Sequence, residues 1–312
     1  MPRNLLKYKN VVAALLVIIL MLVSSIVLGQ KDILFPEIAG MAIGVMAFPV
    51  PNWIKRPIHL WISPSLAAFL GTALNEMSIS PLLKLWLYLI IIIILMHLFR
   101  VHFAPTIPAG LLPFFLGLHD YVFAITTTIF TFLIMLGALK MKRQEELPNG
   151  TQHFRRKTDT FIMSVILCLW IGLAYVAEIQ VLLVPPIFVL LFEVFHAPKF
   201  GWRKIPTPLA VATLTAILSV GVYRLFPDSI LLVGIVNVLI TLMLCKLFKA
   251  LLPGAFGVSL MPLIFPAWGT WWFPIGVFVT AGVLMCLAAA YRQFRMKQAA
   301  AVHMEANNAV LK

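Results

Sequence analysis

From Val11 to Leu28 the chain runs through eighteen residues without a single charge. That is close to the ~20 apolar residues a helix needs to cross the hydrocarbon core of a bilayer. Runs of the same kind recur at 33–50, 59–75, 82–100, 121–140, 160–178, 180–197, 207–225, 229–248 and 270–291, with shorter ones at 103–118 and 251–266. A helix satisfies its own backbone polar groups, which lipid cannot do. The runs therefore predict an all-α polytopic membrane protein with about twelve crossing segments. The first run follows a basic start and lacks a convincing small-residue cleavage site, so it reads as an uncleaved span.

Composition agrees. Hydrophobic residues make up 62% of the chain and charged residues 11%, whereas a soluble domain is nearer a quarter charged. The net charge of +13 then reads as loop lysines and arginines that set topology, not as a nucleic-acid surface. Cys168, Cys245 and Cys286 all lie inside apolar runs. They have no metal-ligand spacing and behave as small core hydrophobes.

The chain also repeats itself. Pro49, Trp53, Lys55 and Pro57 recur as Pro198, Trp202, Lys204 and Pro206, all at an offset of 149. At the same offset "LLKLWLYLIIIIILMHLFR" lies over "LLVGIVNVLITLMLCKLFK", and Pro36, Pro113, Thr131 and Arg143 fall on Pro185, Pro262, Thr280 and Arg292. An internal duplication is the reading. It divides the chain into a first membrane repeat at 1–143, a linker at 144–159, a second repeat at 160–297 and a tail at 298–312. With six crossings per half and a cytoplasmic N-terminus, 21 of the 24 lysines and arginines fall on the inner side, leaving Lys31, Lys84 and Arg224 outside. An even number of crossings keeps both halves in one orientation. The expectation is thus two parallel repeats related by an axis along the membrane normal, in the cell membrane, with both termini and the linker cytoplasmic.

The two short runs break the pattern. "HFAPTIPAGLLPFFLGLH" carries Pro105, Pro108, Gly110 and Pro113, and its counterpart carries Pro253, Gly254, Gly257 and Pro262. As a helix, 103–118 would reach only ~24 Å against a ~30 Å core. Interrupted segments at matching places in two halves point to a transport site, and the two are expected to pack on each other near the molecular centre.

The stretches "FPVPNWIKRPIHLWISPSLAAFLGTAL" and "HFAPTIPAGLLPF" resemble the HPP family of integral membrane proteins over roughly 35–140, and more weakly over 184–290. His102 is separated from Pro105 by Phe103 and Ala104, and the second copy reads Leu251-Leu252-Pro253-Gly254 with no histidine. Some members of that family are implicated in nitrite transport, so the resemblance implies a small anion as solute.

The residues independently offer cations beside the short runs: Arg100 and His102 in the first copy, Lys246 and Lys249 in the second. A helix N-terminus with a nearby cation can hold an anion. The alternative is that these cations only reach to the headgroups. Thr106, Gly110, Gly254 and Ser259 would supply close polar contact deeper in. Glu193 lies within a span, with His196 on the same helical face at i+3, and is a candidate proton relay. Glu37, Glu76, Asp120, Glu178 and Asp228 are expected at outer ends, in reach of water. Thr126, Thr127 and Thr128 could line a polar path or bond their own backbone.

There is no phosphate loop, no paired carboxylates at a useful spacing, no metal-ligand cluster and no nucleophile–base motif. Enzyme activity, cofactors and metals are not expected. The partners implied are the lipid bilayer and a small-molecule solute, and further copies of the chain are a partner the sequence leaves open. Transport of a small anion is the favoured expectation. The alternatives are an exporter of aromatic or amphiphilic compounds of the fusaric-acid-resistance type, or a non-transporting scaffold or lipid-handling protein.

Overall fold

The computed structural model describes residues 3–98, 103–144, 157–196, 200–265 and 271–310, and these are all helices, turns and loops with no strand. The helices are α1 (Arg3–Leu28), α2 (Glu37–Ala42, continued by a π-helical turn at Ile43–Ala47), α3 (Pro51–Ile54), α4 (Pro57–Asn75), α5 (Pro81–Leu98), α6 (Thr106–Leu116), α7 (Val122–Gln144), α8 (Lys157–Val176), α9 (Pro185–His196), α10 (Pro206–Leu225), α11 (Ile230–Leu247), α12 (Pro253–Ile264) and α13 (Phe273–Val310). Proline opens α3, α4, α5, α9, α10 and α12. Its missing N–H costs nothing there, because the first turn of a helix has no acceptor for it.

Seven helices contain stretches long and apolar enough to cross a membrane: α1, α4, α7, α8, α10, α11 and α13. This is the architecture of a helical membrane protein. The surface supports it. On α8 the side chains of Phe161, Val165, Leu169 and Leu173 stand exposed at four-residue steps, and Leu16 and Leu20 do the same on α1. A soluble protein does not present apolar stripes of this extent, whereas lipid solvates them. Trp271 and Trp272 are exposed at one end of the bundle, where interfacial tryptophans belong.

The remaining apolar runs form shorter helices. In α5 the apolar stretch is Pro81–Met96. Proline and glycine bound the others, so α6 has 11 residues, α9 and α12 have 12, and α2 with its π turn covers 37–47. At ~1.5 Å per residue these reach only ~16–18 Å. Irregular segments flank them. Phe35, just ahead of α2, packs edge-on against Phe123 at the start of α7, with ring centroids 5.5 Å apart. Beyond α2 the chain reaches Trp53, whose ring lies 5.0 Å from that of Phe103, just ahead of α6. After α6, the carbonyl of Leu118 accepts a 2.7 Å hydrogen bond from Asn75 at the end of α4.

The Asn75 end of the bundle also gathers Lys31, Lys84 and Arg224. Lys84 donates to the Asn75 carbonyl at 2.5 Å, Lys31 shares a cleft with Asp228, and the Arg224 guanidinium lies 4.4 Å from the Trp271 ring centroid.

Around the bundle, α4 packs on α6 and α7, and α10 on α12 and α13. Contacts between the two halves of the chain join α1 to α11, α5 to α8, α2 to α12, and α6 to α9. Several local features are spaced by 149 residues. The 3₁₀ turns Lys31–Ile33 and Gln180–Leu182 are one pair, and α5 and α11 are another. The left-handed residues Gly29 (φ 65°) and Glu178 (φ 57°) are a third. At the C-terminal end, α13 continues as one helix to Val310, beyond its apolar stretch Phe273–Met296.

Candidate functional site

Glu37 is the first residue of α2, directly after Pro36. Its side chain is 2% exposed, and neither carboxylate oxygen has a hydrogen-bond partner among the described residues. Every residue of α2 and of its π turn is buried. The sequence-based expectation of a water-accessible Glu37 at the outer end is therefore corrected. Its helix begins inside the bundle, packed against α12, α1 and α7.

Three short helices meet at this point. A Cβ built on Gly257 of α12 would lie 3.7 Å from Cγ of Glu37 and 3.0 Å from Cβ of Pro186 at the start of α9. One turn earlier on α12, a Cβ on Gly254 would lie 2.9 Å from the Pro186 carbonyl oxygen and 3.3 Å from the Leu190 nitrogen, and Gly40 of α2 abuts the Pro253 carbonyl. Stepping back along α12 thus means stepping forward along both α2 and α9. Those two helices run in one direction, and α12 runs against them. Small residues let the backbones approach this closely.

Two buried polar side chains brace the short helices. The Tyr88 hydroxyl of α5 lies 3.0 Å from the carbonyls of both Thr106 and Ile107 at the start of α6. Asn237 of α11, 149 positions later, donates to the carbonyl of Ser259 in α12 at 3.0 Å and to that of Ser219 in α10 at 3.3 Å. Prolines inside α6 and α12, Pro113 and Pro262, deprive each helix of an internal donor. Side-chain donors from neighbouring helices add bonds to helices weakened in this way.

The residues singled out from sequence fall into three groups. Thr106 and Gly110 in α6, and Gly254 and Ser259 in α12, are buried in the packed interior. The Thr106 hydroxyl has no partner among the described residues, whereas the Ser259 hydroxyl donates to Phe256 O at 2.7 Å. Lys246 and Lys249 are exposed at the α11–α12 turn, with Lys249 left-handed at φ 51°. Glu193 is half-buried on α9. Arg100, His102 and the side chain of His196 lie outside the described residues. The two interrupted segments do not chiefly pack on each other as expected. Instead α12 packs on α2 and α9, and α6 packs on α9. Two of the three candidate threonines of α7 bond backwards to their own helix, Thr126 to Val122 O at 2.8 Å and Thr128 to Ala124 O at 2.8 Å, whereas the buried Thr127 hydroxyl has no partner among the described residues.

At the opposite end from the Lys246–Lys249 turn, a cleft of about 450 Å³ opens between the end of α1 and the start of α11, lined by Ser25, Lys31, Asp228 and Ser229 among others. Close by, burial and the Asp120 carboxylate push the carboxyl of Asp32 above its usual range. Among the described residues no group of three His, Cys, Asp or Glu side chains could hold a metal ion.

Sequence reasoning put Glu37 in reach of water and passed over Tyr88 and Asn237. The available signal was one carboxylate inside "ILFPEIAGMAIGVMAF", and two polar residues at one register in otherwise aliphatic segments. No family model, no curated protein and no solved structure matches the chain. Fold and site together define a helical membrane protein in whose interior the Glu37 carboxylate, without a partner among the described residues, lies where short helices from both halves of the chain meet.

Proposed function

We propose that this protein is a membrane transporter for a small solute, built from two parallel six-segment repeats. One observation carries the reading: proline-bounded helices, too short to cross by themselves, pack against one another across the two halves of the chain. Interrupted helices of this kind are stable in a membrane only when protein covers them or they line a cavity, and in transporters they mark the solute site. The duplication draws support from the 149-residue spacing of the 3₁₀ turns, of α5 and α11, and of Tyr88 and Asn237. The shared direction of α2 and α9 favours an axis along the membrane normal, since an inverted pair would run oppositely.

The solute we assign is a small anion of nitrite's size. Lys246 and Lys249 stand at the turn that leads into α12, and in sequence Arg100 and His102 hold the matching place ahead of α6. The resemblance to the HPP family points the same way. The test is flux of nitrite, nitrate and formate into proteoliposomes containing the purified protein. Saturable uptake should appear, and Arg100→Ala and Lys249→Ala should each weaken anion affinity by ~1–3 kcal/mol, the scale of a lost charge-assisted hydrogen bond. Movement of aromatic acids instead would identify an exporter of amphiphiles. Specific lipid retention with no flux of any solute would identify a lipid-handling protein.

A further inference from the structure

The site described above contains a carboxylate and, among the described residues, no cation beside it. None of α12 is ionisable, and neither are α1 between Val11 and Leu28, α7 between Val122 and Leu139, or α9 before Glu193. The nearest ionisable groups along the chain are Lys31 and Asp32 in the 3₁₀ turn ahead of α2, and Asp120 beside Asp32. Phe35 and Phe123 pack together at that end of α2. An ionised carboxylate without counter-charge or hydrogen bonds is very costly in apolar packing, so the group is held as the neutral acid or has a partner when charged. A resident metal ion would need several more oxygen ligands, and among the described residues no group of three His, Cys, Asp or Glu side chains is placed to hold one. The ligand this place can take is a proton.

We infer that Glu37 is a proton-binding site that couples proton movement to solute movement, with the proton arriving from the Asp32 end of the bundle. The inference rests on the transporter reading above and sharpens it. An anion passing the junction of α2, α9 and α12 would be repelled by an ionised Glu37 and tolerated by a protonated one, so anion and proton move in the same direction. Protonation is a simple O–H bond formation at a carboxylate oxygen, reversed when the proton leaves on the other side, and no further reactant is required.

Two measurements test it, and they fail separately. The first is infrared difference spectroscopy of the purified protein across the physiological pH range, which reads the carbonyl stretch of a desolvated carboxylic acid and needs no solute. A titrating band of this kind should be present in the native protein, absent from Glu37→Gln, and shifted in Glu37→Asp. No such band, or a band that survives Glu37→Gln, overturns the site. The second is nitrate or formate uptake into proteoliposomes loaded with a pH-sensitive dye, with and without an inward proton gradient. The gradient should accelerate uptake severalfold in the native protein and acidify the lumen in step with it, and Glu37→Gln should lose that acceleration. Acceleration retained in Glu37→Gln overturns the coupling even where the infrared band is present. If no solute moves in the native protein, the transporter reading and the coupling fall together, and the infrared result alone decides whether Glu37 binds a proton. Size-exclusion profiles of both variants in detergent check that assembly survives.

Discussion

At the scale of single residues, the turn after α1 and the turn after α8 have the same backbone and different side chains. In the first, Gln30 N–H bonds Ser25 O at 3.1 Å, and in the second Ile179 N–H bonds Ala174 O at 3.0 Å. The left-handed position is Gly29 in one and Glu178 in the other. A side chain in that conformation crowds the following carbonyl at a cost of ~1–2 kcal/mol. Glu178→Gly should therefore raise stability by about 1 kcal/mol, seen as a higher melting temperature in detergent micelles. Gly29→Ala should lower it by about as much, because a Cβ there meets nothing within 4 Å and only the backbone term changes. A neutral Glu178→Gly would mean that contacts of the glutamate side chain offset the strain. Neither turn is readable from Gly29 alone, since a glutamate occupies the second.

At the scale of elements, the short helices hold their place by buried polar bonds from their neighbours. Tyr88 serves α6 and Asn237 serves α12, each from the helix that precedes it in the chain. Tyr88→Phe removes one hydroxyl and leaves two carbonyls without that donor, so it should cost about 1 kcal/mol. Amide exchange should rise in α6 and stay unchanged in α12. Asn237→Leu should do the reverse. Exchange rising equally in both helices would show that the bonds support the whole bundle and not the nearest short helix. Gly110 adds a steric condition on the same element, because a Cβ there would run into the Tyr88 ring and the Ala67 carbonyl.

At the scale of the whole molecule, the charge distribution and the packing agree on two distinct ends. Lys31, Lys84 and Arg224 gather at one. Lys246 and Lys249 stand at the other, at the turn between the last residues of α11 and the first of α12. With 21 of the 24 lysines and arginines expected on the opposite side, the positive-inside rule predicts that the end holding Lys31, Lys84 and Arg224 is external. Single cysteines at Lys31 or Lys84 should then be labelled by an impermeant thiol reagent added to intact cells. Cysteines at Asn149 or Lys312 should be protected until the membrane is opened. Labelling of Asn149 from outside would invert the assignment and with it the direction from which a proton reaches Glu37.

Lengths of apolar run, proline at the helix starts, and the 149-residue repeat of both are local properties of the chain. They follow from transfer into lipid and from backbone chemistry, and the sequence determined unaided the all-helical membrane architecture and the shortness of α6 and α12. It overcounted the long spans: of ten long apolar runs, seven form helices long enough to cross, because proline and the turns beside it shorten the helices within 33–50 and 180–197, and the apolar stretch of α5 ends at Met96. Which helix covers which was not determined there. Segments such as α5 and α11 are apolar on every side, so no periodicity separates a lipid-facing stripe from a protein-facing one. Glu37 looked interfacial because it follows a turn, and Tyr88 and Asn237 looked like isolated polar residues in greasy spans. The packing of α12, α1 and α7 around α2 encloses that carboxylate, and the approach of α5 to α6 and of α11 to α10 and α12 gives the other two their acceptors. Burial is a property of neighbours brought together from distant parts of the chain, and a one-dimensional pattern that is apolar throughout does not name them.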